Sequence, residues 1–176
     1  MRSTTLAIAM TLLGLSVTTA AAQHGHGSPY REQHQTGARG LSTQEVDDLV
    51  AGRGMGLARA AELNGYPGPR HVLDAARDGT LSLTPEQRLG VQRVFDVMER
   101  DAKRLGTRVV DEERALEAAF RGGSITEAEL GDRVARLAVI QGELRQVHLR
   151  AHVATHALLT QAQRARYAEL RGYAGH

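Results

Sequence analysis

Residues 83–123 read LTPEQRLGVQRVFDVMERDAKRLGTRVVDEERALEAAFRGG, and this stretch decides the fold. Thr84 is a natural N-cap, Pro85 suits the first helical position, and Gln87 stands where a capping box needs Glu or Gln. Nothing from there to Phe120 breaks a helix strongly. Positions 91, 95, 98, 102, 105, 109, 112, 116 and 119 advance by fours and threes and read Val, Phe, Met, Ala, Leu, Val, Glu, Leu, Ala. That is a seam of the coiled-coil kind with one polar member. Arg121-Gly122-Gly123-Ser124 closes the helix.

Working outward toward the C-terminus, Thr126-Glu127-Ala128-Glu129 opens another helix through a second capping box. It is predicted to run to about Leu158, with Leu130, Val134, Leu137, Ile140, Leu144, Val147, Ala151, Ala154 and Leu158 along one stripe. Two helices this long, joined by a short glycine turn, must fold back as an antiparallel hairpin. A last helix follows Leu159-Thr160-Gln161-Ala162-Gln163 and ends at Gly172. Toward the N-terminus, Ser42-Thr43-Gln44-Glu45 starts a short helix that Gly52, Gly54 and Gly56 interrupt. Further short helices are expected over about 57–64, stopped by Gly65-Tyr66-Pro67-Gly68-Pro69, and over about 70–78, stopped by Gly79. The three close glycines have no preceding strand and no dinucleotide or Walker spacing, so they punctuate helices rather than cradle phosphate.

The expected class is therefore all-α, with short helices in 41–79 and the hairpin plus its C-terminal helix in 80–174. Composition agrees. The 176 residues include no Cys, no Trp and six Tyr or Phe, which excludes disulfides, thiolate metal sites and a cysteine nucleophile, and weakens any case for base-stacking modules. Of the 22 basic residues 21 are Arg, but 20 acidic residues nearly balance them, so the net charge of +2 implies no nucleic-acid surface.

Residues 1–22, MRSTTLAIAMTLLGLSVTTAAA, carry one Arg, an apolar run from Leu6 to Val17 and an A-x-A site. They read as a secretory signal peptide cleaved before Gln23. The mature chain would then work in the periplasm, away from ATP and chromosomal DNA. Residues 23–40 hold Gly, His and Pro without apolar periodicity and read as a disordered arm. Cleavage after Ala21 instead would put His24 third in the chain, where it and the terminal amine could chelate Cu²⁺ or Ni²⁺.

Leu83-Thr84-Pro85-Glu86-Gln87 and Leu159-Thr160-Gln161-Ala162-Gln163 both fit the pattern L-T-x-x-Q. Its repetition at the start of a long helix and of the final helix, in an exported all-helical chain, resembles the Spy/CpxP family of periplasmic stress proteins and its heavy-metal-resistance relatives. The resemblance covers roughly residues 80–172 and rests on Leu83, Thr84, Gln87, Leu159, Thr160 and Gln163. It implies a four-helix cradle, commonly a homodimer. Such a cradle either holds unfolded or misfolded envelope proteins without ATP or binds metal ions, and it leaves room for an inner-membrane signalling partner. Residues 52–79 depart from the family pattern.

The side chains themselves offer two candidate sites. Apolar positions Val94, Val97, Leu137 and Ile140, with Arg at the rim, would contact an unfolded client and need no cofactor. His148, His152 and His156 stand four residues apart, so neighbouring imidazoles lie one helical turn from each other. His148 and His152 are the better metal pair. Folding about Gly122-Gly123 sets His148 near Met98 and Glu99 and His152 near Val94 and Asp96, within a turn, and a carboxylate or thioether such as Glu99 or Met98 could complete a Zn²⁺, Ni²⁺ or Cu²⁺ site. No nucleophile–base pair or carboxylate constellation suggests an enzyme. Glu112 either pairs with Arg133 or Arg136 across the hairpin or sits on a solvated face with Asp111 and Glu113. Three acidic residues in a row favour the second.

Overall fold

The computed structural model describes residues 38–173, and the expected signal peptide and residues 23–37 of the arm lie outside the described residues. The fold is all-α. Among the described residues there are six helices and no strand: α1 Thr43–Val50, α2 Arg59–Glu62, α3 Pro69–Arg77, α4 Pro85–Arg121, α5 Glu127–Leu158 and α6 Gln161–Leu170. None of them is long and apolar enough to cross a membrane.

The helix starts follow from their caps. Ser42 with Glu45, Thr84 with Gln87, and Thr160 with Gln163 form complete capping boxes. At α5 only the forward half forms, Thr126 accepting from the Glu129 N–H. The Glu129 carboxylate is turned instead to Arg133, 2.9 Å away. Gly123, at φ 68°, takes the left-handed conformation that lets the chain leave α4.

α4 and α5 lie antiparallel. Arg108 meets Glu143 at 3.2 Å and Arg136 meets Glu112 at 3.6 Å, each pair spanning the hairpin. Glu112 thus pairs across the hairpin, contrary to the solvated face expected from its acidic neighbours, because its seam position outweighs the local run of charge. Ala102, Leu105, Val109, Leu137, Ile140 and Leu144 form the main core, and Leu49 of α1 closes it on one side. Gly106 makes that closure feasible, since a Cβ there would come within 2.0 Å of the Leu49 carbonyl oxygen. A second apolar cluster joins Val72 of α3, Leu81, Val91, Leu159 and Tyr167 at the open end of the hairpin.

The body starts before the boundary expected at residue 40. Ala38 is buried, Leu41 donates its N–H to the Ala38 carbonyl, and Arg39 pairs with Glu117 at 3.3 Å. These contacts tie Ala38–Gly40 to α4.

Candidate functional site

Three features converge where the N-terminal layer meets the hairpin. The first is made by the two L-T-x-x-Q segments. Each Gln uses its Oε1 to accept the N–H of the Thr capping its own helix, at 3.0 Å for Gln87 and 2.8 Å for Gln163. Each then donates across the fold. Gln87 Nε2 reaches Gln163 Oε1 at 2.9 Å and the Leu158 carbonyl at 2.9 Å, while Gln163 Nε2 reaches Gln87 Oε1 at 2.8 Å and the Ser82 carbonyl at 2.9 Å. Both carbonyls belong to the residue just before the other motif, so the motifs are bound in a reciprocal clasp. Leu159 is buried beneath it and Leu83 packs against the same cluster. The motif residues are therefore structural, joining the start of α4 to the start of α6.

The second feature is a polar nest around Glu62. Tyr167 donates its hydroxyl to Glu62 Oε1 at 2.7 Å, and Arg171 Nε approaches the same oxygen at 3.2 Å. Burial, and then the hydrogen bond to Glu62, push the Tyr167 hydroxyl far above the ordinary tyrosine range. His152 turns into this nest, with Nδ1 2.7 Å from the Tyr66 carbonyl and 3.6 Å from Glu62 Oε2. Gly68 lies against the His152 ring, close enough that a Cβ would stand 3.0 Å from its Cε1. His156 stacks on Tyr66 with ring centroids 4.4 Å apart. The histidines one turn apart thus grip the connection between α2 and α3. None of Glu62, Tyr66, Tyr167 and Arg171 stood out in the sequence, and their partners lie too far along the chain to leave a local signal.

Of the other residues expected at a metal site, Met98 lines a groove between α4 and α5, and Glu99 pairs with Lys103 at 3.3 Å. His148 is buried, only 3 % exposed, and its Nε2 has no hydrogen-bond partner. Among the described residues no three His, Asp or Glu side chains come together as a metal-holding group. Along the axis Arg108 stands opposite Glu143 and Arg136 opposite Glu112, while His152 meets Tyr66 and Glu62 of the N-terminal layer.

The third feature is that groove, about 650 Å³ between α4 and α5. Val94, Val97, Met98, Val147, Ala154 and Leu158 give it apolar walls, and Arg93 and Arg150 stand at its rim. Val97 is 49 % exposed and Val94 half-buried. The two expected client-binding residues on α5, Leu137 and Ile140, are not part of it. Both are buried in the main core, where they face α4 and α1. Val147, Ala154 and Leu158 of the same predicted stripe take their place.

No family model, curated protein or solved structure matches the chain.

Proposed function

We propose that this chain is a non-enzymatic, periplasmic stress protein of the Spy/CpxP kind, an ATP-independent chaperone that holds unfolded envelope proteins in the groove between α4 and α5. The observation that carries the reading is the groove itself: an open apolar channel with exposed valine and flanking arginine. Contacts of this sort are weak individually and tolerant of client sequence, while rim charge speeds encounter. No cofactor is required. The paired L-T-x-x-Q segments support the same assignment, and with it a cradle-like use of the hairpin. The metal-sensor alternative is less well supported, because His152 is engaged by the Tyr66 carbonyl and Glu62, and Glu99 by Lys103.

Aggregation of a chemically unfolded client, followed by light scattering without ATP, tests the reading. The chain is expected to suppress scattering at near-stoichiometric ratio. Val97→Asp, which places charge at an exposed wall of the groove, is expected to need several-fold more protein for equal suppression. Absence of suppression by the unaltered chain defeats the proposal.

A further inference from the structure

The groove between α4 and α5 exists because small side chains stand where the rest of the hairpin carries leucine and isoleucine. Ala151, Ala154 and Ala157 of α5 and Gly90 of α4 line it, whereas Leu105, Leu137, Ile140 and Leu144 fill the space between the same helices nearer the turn. Gly90 and Leu158 meet at one end. A Cβ on Gly90 would stand 3.2 Å from Leu158 Cδ1, and Gln87 Nε2 holds the Leu158 carbonyl at 2.9 Å. From there the channel follows α4 from Gly90 to Asp101, about 16 Å of helix. Its volume of about 650 Å³ falls in the range of small-molecule sites.

Charge narrows what such a channel takes. Arg93 and Arg150 rise from opposite walls, both exposed, and neither makes an ion pair among the described residues. Nearer the turn, the arginines that reach the facing helix are committed, Arg108 to Glu143 and Arg136 to Glu112. Asp101, the one acid in the lining, is engaged by Arg100 at 3.2 Å. A long apolar channel is thus flanked by guanidinium groups that have no counter-ion within the fold. Its complement is a slender apolar chain ending in an anion, and a carboxylate matches the guanidinium fork through two parallel hydrogen bonds.

We propose that the groove binds a long-chain fatty acid, its carboxylate on Arg93 and its chain laid toward Val97 and Met98. Asp101 sets the orientation. Because the helices are antiparallel, Asp101 lies at the same end of the groove as Arg150 and opposes an anion there, whereas no acid lines the groove beside Arg93. The Met98 thioether, at the far end, adapts readily to a flexible chain. This is the groove proposed above to hold clients, but the inference rests on its shape and its uncommitted charge, and fatty-acid binding is read without any client.

Titration calorimetry of the full chain with octanoate, decanoate and dodecanoate, each below its micelle-forming concentration, tests it. Affinity is expected to rise with chain length, by up to about tenfold per two methylenes. Dodecyltrimethylammonium, of equal chain length and opposite charge, is expected to bind at least about fivefold more weakly than dodecanoate. Arg93→Gln is expected to weaken dodecanoate about fivefold, the scale of an exposed ion pair, and Arg150→Gln less than about twofold. Ala154→Leu, which fills the channel with a good helix former, is expected to abolish binding with the circular dichroism unchanged. Absence of dodecanoate binding, equal losses in the two arginine variants, or undiminished binding in Ala154→Leu would each overturn the proposal. Equal affinity for the anionic and cationic amphiphiles would overturn it too, and would mark an apolar surface without charge selection. A chain that binds dodecanoate yet fails to suppress aggregation would uphold this inference and defeat the client proposal, and the reverse pair of results would do the opposite.

Discussion

His148 brings a ring nitrogen into the interior without giving it a partner. Burial, and secondarily the neighbouring His152, hold its imidazole below the ordinary value of 6.5. The folded chain therefore resists a proton that the unfolded chain accepts. The stability this group contributes is fully present above about pH 6.5 and is lost as pH falls below it toward the lowered folded value. His71 is displaced in the same direction, by burial and by Arg171, so the wild-type slope contains both. Comparison with His148→Leu isolates one of them. Unfolding free energies from urea titrations at pH 7.5, 6.5 and 5.5 are expected to fall less steeply in the variant, by up to about 1.4 kcal/mol per pH unit. Parallel decline of the two proteins would mean that His148 is not held neutral. The residue was visible in the sequence as part of an i, i+4 pair, but its burial was not, since a histidine on the margin of an apolar stripe can face either way.

At the scale of elements, the Gln87–Gln163 clasp shows which part of a motif can be read locally. Thr84 with Gln87 and Thr160 with Gln163 announce capping boxes because the bonded atoms lie within one turn. The amide-to-amide bonds join helices 76 positions apart, and nothing in either pentapeptide implies them. The glycines divide in the same way. Gly122 and Gly123 read correctly as a turn, whereas Gly106, inside α4, is explained only by the backbone of α1 crossing it. Removing either amide loses the glutamine's half of the capping box together with the mutual bond, each a hydrogen bond of about 0.5–1.5 kcal/mol. Because each single variant, Gln87→Ala or Gln163→Ala, already loses that bond, the double variant is expected to be less destabilised than the sum. The shortfall should be about 0.5–3 kcal/mol in urea unfolding. Strict additivity would show that the clasp contributes nothing beyond its two caps.

The whole molecule is a long hairpin covered unevenly. The two seams were readable because their period is helical. Which side of the hairpin the short helices would cover was not, because it depends on the path of residues 52–79, where glycine and proline set the chain direction. That missing rotation sent Met98 to the groove, His152 to the nest, and Leu137 and Ile140 into the core. It also leaves one end of the hairpin thin. Buried side chains in α4 stop at Val110 and those in α5 begin at Leu137. Beyond them Leu116 and Leu130 are half-buried, Phe120 is exposed, and the Arg121–Glu117 and Arg133–Glu129 pairs are of the surface kind that contributes about 0–1 kcal/mol. A segment with so little burial should open without unfolding the rest. In native-state hydrogen exchange, the hydrogen-bonded amides of residues 118–130 are expected to exchange at least ~100-fold faster than those of 102–110 and 140–151, an opening cheaper by about 3 kcal/mol. Equal protection along the hairpin would show that the tip is held as firmly as the core, and the uneven burial would then have no consequence for its dynamics.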